Sequence, residues 1–197
     1  MKIHQGSEVI LASHNKGKLK EMQELMKPFK VSIRSSLELG LSEPVEDGST
    51  FAENALIKAR SAAKESGQIA ISDDSGFCVK ALDDKPGIYS ARWAGDERNF
   101  NMAMQRVHNE LGETTDKQAY FIAVLAVVWP TGQEKVYEGR IDGSIAWPPR
   151  GERGFGYDPM FIPHGYEQTF AEILPQEKQQ ISHRALAFQR LIADLFK

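Results

Sequence analysis

Short apolar runs alternate with amphipathic segments along most of the chain. Residues 8-EVILAS-13 and 69-IAIS-72 predict buried strands, and 119-AYFIAVLAVVW-129 predicts a longer one. The segments 19–29 and 50–66 have apolar residues at helical spacing, and the second begins with the Thr-x-x-Glu pattern of a capping box. Strands that alternate with helices predict an α/β fold, in which a mixed twisted sheet is flanked by helices.

The remaining segments continue this alternation. Short strands are predicted over 30–35 and 134–141, and helices over about 98–111 and 182–196. No internal repeat, low-complexity tract or Pro/Ser-rich linker separates these segments. We therefore expect one domain over residues 1–197.

Composition and charge narrow the classes of function. The chain is 41% hydrophobic and 26% charged, which is typical of a globular protein. Its formal net charge of −3 argues against nucleic acid or an anionic membrane as a partner. No apolar run approaches the length that spans a bilayer, and the opening MKIHQGSEV lacks the apolar core of a signal peptide. We therefore expect a cytoplasmic protein.

Cysteine usage excludes two kinds of site. Cys78 is the only cysteine of the chain, so an internal disulfide and a multi-cysteine zinc site are both ruled out. It lies in the apolar-alternating segment 76-GFCVKAL-82, which favours a buried, inert thiol over a nucleophile.

Two adjacent carboxylates follow the predicted strand in 69-IAISDDSGF-77. Asp73 and Asp74 repel each other, and a carboxylate at the edge of a core is costly unless a cation compensates it. One interpretation is a cation site, to which Glu46 of the acidic segment 44–55 would add an oxygen. Mg²⁺ binds a few carboxylates together with phosphate oxygens and water. The alternatives are a polar turn at 72–76 and a solvated acidic loop around Glu46.

The segment 13-SHNKGK-18 links a predicted strand to a predicted helix. Backbone N–H groups at a helix start can hold phosphate, while Gly17 permits close approach and Lys18 adds positive charge. The spacing is not that of a Walker A loop. An ordinary strand–helix turn with an Asn cap and solvated lysines is the alternative.

Two later segments combine features that suit a nucleotide base. In 150-RGERGFGYDPMF-161, glycines flank Phe155, whose ring could stack on a base beside the carboxylate of Asp158. The alternative is a tight turn whose aromatic side chains fill the core. In 177-EKQQISHRALAFQRL-191, three potential cations lie at a helix start, where the helix dipole disfavours them unless an anion or a base edge is bound. A solvated basic face is the alternative there.

Six ordered segments together carry a resemblance. From about Val9 onward, the chain resembles the Ham1/inosine triphosphate pyrophosphatase family of non-standard purine nucleotide pyrophosphatases. The matching segments are SHNKGK, GSTFAENALIKAR, SDDSGF, PGIYSARWAG, GFGYDPMF and ISHRA.

The resemblance implies a fold, a cofactor and a reaction. The expected fold is a mixed α/β structure with two lobes around a deep central cleft, assembled as a homodimer. The expected reaction is Mg²⁺-dependent hydrolysis of ITP, dITP and XTP to the monophosphate and pyrophosphate, which keeps deaminated purines out of DNA and RNA.

The resemblance also implies roles for individual residues. Asp74 is the expected general base and metal-linked acid, and Glu46 is a magnesium ligand. Contacts to the triphosphate are expected from Ser13, His14, Asn15, Lys16, Gly17 and Lys18. The other substrate contacts are expected from Ser75, Phe155, Gly156, Tyr157, Asp158, Lys178, His183 and Arg184. Thr-Gly is the commoner opening of the phosphate segment, so that Ser13-His14 is a departure in which His14 replaces a glycine.

These expected roles define a mechanism for hydrolysis of the triphosphate. Water attacks the α-phosphorus, Asp74 orients or deprotonates it, and Lys18 helps neutralise the pyrophosphate that leaves. Donors at His183 and Arg184, or backbone N–H groups, would donate to the 6-oxo group of hypoxanthine or xanthine and would stay unpaired against the 6-amino group of adenine. The alternative functions are a pyrophosphatase for modified pyrimidine or methylated nucleotides, a nucleic-acid-binding module and a kinase.

Overall fold

The structure is a computed structural model that describes residues 1–196, over which it contains a seven-stranded mixed sheet and six α-helices. The strands are β1 (Glu8–Leu11), β2 (Ser32–Ser35), β3 (Ile69–Val79), β4 (Lys85–Pro86), β5 (Gln118–Val128), β6 (Glu134–Ile145) and β7 (Phe161–Pro163). The helices are α1 (Lys16–Met26), α2 (Phe51–Ser66), α3 (Ser90–Trp93), α4 (Phe100–Leu111), α5 (Pro175–Ile181) and α6 (His183–Leu195). The predicted mixed α/β class is confirmed. No helix among these residues is long and apolar enough to cross a membrane.

Parallel pairing of β1 brings two of the predicted site segments together. The sheet order is β2-β1-β3-β5-β6-β7, with β4 paired to β3. Strand β1 runs parallel to both β2 and β3, and Leu11 is in register with Ile71. Because parallel strands point the same way, the chain leaving β1 after Leu11 lies beside the part of β3 that follows Ile71. The segment 13–18 therefore lies near Asp73 and Asp74, at the C-terminal end of β1.

The chain divides into two compact units. Unit 1 comprises Met1–Asp74, Ala123–Glu138 and the chain from Ala187 onward, and unit 2 comprises Ser75–Ile122 and Gly139–Leu186. The boundaries fall inside β3, β5, β6 and α6. One domain over residues 1–197 stays a prediction, and Lys197 lies outside the described residues.

Unit 1 is built on the two faces of β1. Val9 and Leu11 belong to one buried apolar cluster, whereas Ile10 belongs to another, as the two-residue period of a strand requires. The first cluster includes residues of α1 and α6, and the second includes Ala55 and Ala59 of α2. Small alanines let α2 pack closely on the sheet. The helix predicted at 50–66 is confirmed, with Thr50 as its N-cap and a complete capping box.

Unit 2 has an aromatic core. Phe77, Phe121 and Phe161 are buried together, with ring centroids of Phe121 and Phe161 separated by 4.9 Å. Cys78 lies next to this core, and burial raises the pKa of its thiol to about 11. The prediction of an inert, buried thiol is therefore confirmed.

One predicted strand boundary was wrong, and one helix was not predicted. The strand expected at 69–72 continues to Val79, so Asp73, Asp74 and Ser75 lie inside a strand rather than in a polar turn. Pairing with neighbouring strands satisfies the backbone there, and local turn preference does not prevail. The helix expected at about 182–196 is confirmed as α6, but the separate helix α5 before it was not predicted, and Ser182 in an extended conformation separates the two.

Candidate active site

The turn between β1 and α1 is a capped helix start. The Asn15 side-chain oxygen accepts hydrogen bonds from the backbone N–H groups of Gly17 at 2.9 Å and Lys18 at 3.3 Å. The Ser13 hydroxyl accepts from the Asn15 N–H at 3.2 Å. Two of the N–H groups expected to face phosphate are thus held by Asn15, while Lys16 is exposed in the first turn.

His14 links this turn to the acidic loop that precedes α2. Its Nδ1 lies 3.4 Å from Oε1 of Glu43, three residues before Glu46. A glycine at this position would have no side chain for that contact. The departure from the commoner Thr-Gly opening therefore adds a connection between the two loops.

The paired carboxylates of β3 are each compensated by a different lysine. Asp73 is 1% exposed, and its Oδ1 lies 2.5 Å from Nζ of Lys18, which also donates to the Asp73 carbonyl at 3.3 Å. Asp74 is 7% exposed, and its Oδ1 accepts from Nζ of Lys58 at 3.2 Å. Adjacent like charges are tolerated because the two lysines approach them from two different helices.

Lys58 is the residue that sequence reasoning missed. Its Nζ lies 3.0 Å from Oε1 of Glu46 as well as 3.2 Å from Asp74, and its side chain is only 11% exposed. A lysine among the apolar residues of 55-ALIKA-59, next to the buried Ala59, was the available signal. A lysine on an apolar helix face needs an acidic partner, which the sequence does not identify.

Burial and neighbouring charges together shift the pKa values of Asp74 and Lys58. Burial raises the pKa of the Asp74 carboxyl above its ordinary value, although the neighbouring Lys58 and Lys18 oppose the shift. Burial by itself would lower the pKa of Lys58, but Asp74 and Glu46 outweigh it and raise that pKa. The Asp74 shift thus comes mainly from burial, with smaller contributions from Glu46 and Asp73, whereas the Lys58 shift comes from its contacts with the two carboxylates. The lysine therefore stays protonated, and Asp74 becomes a better proton acceptor than an exposed aspartate.

Glu46 and Asp74 fit a magnesium ion that binds together with phosphate. Oδ2 of Asp74 is buried and has no hydrogen-bond partner among residues 1–196. Glu46 and Asp74 both contact the Lys58 ammonium, which shows that the two carboxylates face one cation. Within residues 1–196 no group of three or more His, Cys, Asp or Glu side chains is arranged for a metal. Mg²⁺ commonly uses only one or two carboxylates and completes its shell with phosphate and water.

In unit 2, Asp158 organises the loop that carries Phe155. Its Oδ2 accepts from the Phe155 N–H at 2.8 Å and from Nζ of Lys178 at 2.6 Å. Gly154 has φ +73°, and a Cβ there would lie 2.0 Å from the same carboxylate oxygen. The loop can close over Asp158 only because residue 154 has no side chain.

Gly154→Ala should therefore destabilise this loop beyond the cost of its backbone conformation. Gly165 has φ +85° and open space around its Cβ position, so Gly165→Ala carries the backbone cost alone. We expect Gly154→Ala to lower Tm by at least about 3 °C more than Gly165→Ala, because the buried Lys178–Asp158 pair is disturbed. Thermal unfolding of both variants measures the difference. Equal losses would show that Asp158 can move aside at no cost.

Two cationic side chains lie near the Phe155 ring. Nζ of Lys178 lies 5.2 Å from the ring centroid, and the Arg184 guanidinium carbon lies 5.9 Å from it. Arg184 also donates to the Ser75 hydroxyl at 3.1 Å. Phe155 is half-buried, whereas Lys178 and Arg184 are buried. These four residues form a group with an aromatic face and cationic donors, as a purine ring requires.

Two predicted base contacts face the core of unit 2. Tyr157 is buried against Phe77, with ring centroids 5.0 Å apart, and its hydroxyl donates to the Ser90 carbonyl at 2.9 Å. The buried His183 ring stacks on Phe121 at 4.8 Å. Tyr157 thus fills the core as the alternative interpretation of its segment proposed, whereas Phe155 does not.

Comparisons with known proteins give a consistent result. The sequence model of the Ham1 family matches residues 9–194. A dITP/XTP pyrophosphatase of Zymomonas mobilis is 54% identical over 188 residues, which cover 94% of this chain and 90% of the relative. A HAM1 protein structure from Coxiella burnetii has a TM-score of 0.88 at 40% identity and covers 95% of this chain and 97% of its own. The structure of a nucleoside-triphosphatase / dITP/XTP pyrophosphatase from Mycobacterium abscessus has a TM-score of 0.78 at 39% identity, covering 94% and 98%.

Proposed function

The chain belongs to the Ham1 family, and from this premise we propose that it hydrolyses the non-standard purine nucleoside triphosphates ITP, dITP and XTP to the monophosphate and pyrophosphate. The Zymomonas mobilis relative named dITP/XTP pyrophosphatase supports this substrate class. By removing these nucleotides the enzyme keeps deaminated purines out of DNA and RNA. The observation that carries the proposal is the partly buried cluster of Glu46, Lys58 and Asp74 within a chain of this family.

The residues of unit 1 are suited to the triphosphate. Lys18 and Lys58 supply buried positive charge, which phosphate oxygens require once water is excluded. Asp73 holds the Lys18 ammonium in place through its carboxylate. Asp74 accepts a proton from the attacking water, and its raised pKa brings it closer to the operating pH of a general base. Lys18 stabilises the negative charge that develops on the pyrophosphate.

The proposal includes magnesium, held by Glu46 and Asp74. When bound, the ion neutralises phosphate charge and makes the phosphorus more susceptible to attack. The unpartnered Oδ2 of Asp74 supports this assignment. Asp74 and Glu46 thereby gain the compensating charge that their burial demands.

The residues of unit 2 are suited to a purine base with a 6-oxo group. Phe155 offers its ring for stacking, and the buried donors of Arg184 and Lys178 lie near that ring. Donors match the acceptor at position 6 of hypoxanthine and xanthine and are left unpaired by the amino group of adenine. We assign base selection mainly to Arg184, because its guanidinium carbon lies 5.9 Å from the centroid of the Phe155 ring.

Product identification tests the proposal directly. Purified protein is incubated with ITP, dITP, XTP, GTP and ATP, each with Mg²⁺ and with a chelator in its place. The expected result is the monophosphate and pyrophosphate from the first three nucleotides, in Mg²⁺ only, and far slower turnover of GTP and ATP. Release of orthophosphate and a diphosphate, or equal turnover of all five, would contradict it. Preferred turnover of a modified pyrimidine or methylated nucleotide in the same assay would redirect the assignment.

Homodimerisation and a cytoplasmic location belong to the same proposal. Both are supported by the family resemblance, and the absence of a bilayer-spanning helix in residues 1–196 is compatible with the second. Sedimentation equilibrium gives the subunit number, for which we expect two.

A further inference from the structure

One ammonium group contacts both carboxylates to which the proposed function assigns magnesium. Nζ of Lys58 lies 3.0 Å from Oε1 of Glu46 and 3.2 Å from Oδ1 of Asp74. The Lys58 side chain is 11% exposed, and Asp74 is 7% exposed as a residue. All three residues belong to unit 1. A protein cation therefore lies where a divalent cation has to bind.

We propose that Lys58 is a placeholder cation, which neutralises Glu46 and Asp74 in the metal-free protein and releases them when Mg²⁺ binds. The inference rests on the proposed function, because it takes Glu46 and Asp74 as the magnesium ligands. It adds a role for Lys58 before any nucleotide is present, as a positioning residue that competes with the metal for two carboxylates.

The first argument is the charge balance of the cluster. Lys18 is engaged with Asp73, both through its carboxylate and through its carbonyl. Lys58 contacts both Glu46 and Asp74 directly. Without it, two partly buried carboxylates would face each other at a large electrostatic cost. The folded metal-free protein needs a cation at this position, and Lys58 supplies it.

The second argument is that Lys58 is held less tightly than its neighbour. Charge-assisted N–H···O bonds are normally about 2.7–2.9 Å long. The Lys18–Asp73 contact of 2.5 Å is short by this standard, whereas the two Lys58 contacts of 3.0 and 3.2 Å are long. A lysine has a flexible four-carbon stem, so its ammonium can leave while its Cα stays in α2. The long contacts suit an exchangeable partner.

The third argument is that one carboxylate oxygen of Asp74 lacks a hydrogen bond in the described residues. Its Oδ2 is buried and has no hydrogen-bond partner in the described part of the chain, although Oδ1 accepts a hydrogen bond from Lys58. A buried carboxylate oxygen left unpaired is costly and calls for a ligand. A divalent cation that replaced the ammonium would compensate twice the charge and could use this oxygen as well. The binding of Mg²⁺ thus compensates the Asp74 carboxylate more fully than Lys58 does, because Lys58 is bonded to Oδ1.

The experiment compares Mg²⁺ binding to three proteins without nucleotide. These are the wild type, Lys58→Met, which keeps much of the side-chain volume without the charge, and Lys64→Met as matched control. Lys64 is exposed in the last turn of the same helix, so its replacement changes net charge equally. Isothermal titration with MgCl₂ should give a Kd about tenfold or more lower for Lys58→Met than for the wild type. Lys64→Met should differ little from the wild type.

Thermal unfolding supplies a second readout. In chelator, Lys58→Met should have a lower Tm than the wild type, and Mg²⁺ should raise its Tm by more than it raises that of the wild type. If Lys58→Met is unfolded in chelator, refolding on addition of millimolar Mg²⁺ supports the placeholder role. Unchanged or weaker Mg²⁺ binding by Lys58→Met, or no recovery of fold with Mg²⁺, overturns it.

Failure of the inference is distinct from failure of the proposed function. If the wild type releases pyrophosphate from ITP only with Mg²⁺, yet Lys58→Met binds Mg²⁺ no better, then Lys58 is not a placeholder and the function stands. If the wild type releases no pyrophosphate, the function itself is wrong. Mg²⁺ binding that is detected for Lys58→Met but not for the wild type or Lys64→Met would also support the inference.

Discussion

Asp74→Asn should lower kcat for ITP by about 10³-fold or more. The substitution keeps the volume and the Oδ1 acceptor that Lys58 contacts, but it removes the negative charge. The amide can neither take a proton from water nor contribute charge to a metal ion. Because the loss occurs in the transition state, ITP binding should change by less than about tenfold. Single-turnover rates and equilibrium binding of ITP measure the two quantities separately.

The folded state should survive this substitution. Three carboxylates share two lysines in the cluster, so that removal of one carboxylate leaves two of each. We expect Tm to be unchanged or higher at neutral pH, as is common when a strained functional group is replaced. Asp47→Asn is the matched control, since Asp47 is exposed in the same loop region as Glu46. Wild-type kcat in Asp74→Asn would exclude Asp74 as the base and make Asp73 the candidate.

The pH profile of the wild type bears on the same assignment. A general base acts in its ionised form, so activity falls as the pH drops through its pKa. Burial raises the pKa of Asp74 above the ordinary value of 3.8, and the loss of activity should therefore begin at a higher pH than an exposed aspartate would give.

Arg184→Ala should collapse the discrimination between ITP and ATP. Arg184 is 2% exposed, donates to Ser75 and lies 5.9 Å from the Phe155 ring. Truncation of a buried charged hydrogen-bond partner costs roughly 2–4 kcal/mol, about 30- to 1,000-fold in kcat/KM. The loss should fall on ITP, which offers the 6-oxo acceptor, and leave the weak ATP activity nearly unchanged. Measurement of kcat/KM for both nucleotides gives the ratio.

Stability distinguishes a structural role for Arg184 from a specificity role. A structural arginine would lower Tm and depress both activities together. Arg190→Ala is the matched control, because Arg190 lies in the same helix, is exposed and donates to the Glu138 carbonyl. A preserved ITP/ATP ratio in Arg184→Ala would assign base selection to the backbone of 155–158 and to Asp158.

The local pattern of the sequence determined most of the elements of this fold. The strand at 8–11 follows from a short apolar run, and the helix at 51–66 follows from period-3.6 apolar spacing with a capping box; both signals act within a few residues. The segment 13–18 was identified for the same reason, since an Asn at the start of a helix is a local signal. The mixed α/β class and the family resemblance needed no tertiary information.

Only the tertiary structure decided how the charges are paired. Lys18 meets Asp73 across 55 residues of sequence, and Lys58 meets Asp74 across 16. No local pattern encodes such contacts, because they depend on the parallel register of β1 with β3 and on the face that α2 presents to the sheet. The same holds for Tyr157, whose neighbour Phe155 looks equivalent in sequence but lies outside the core that Tyr157 fills. Burial is a property of the assembled chain. It raises the pKa of Asp74, and it explains why the buried Lys58 ammonium needs acidic partners.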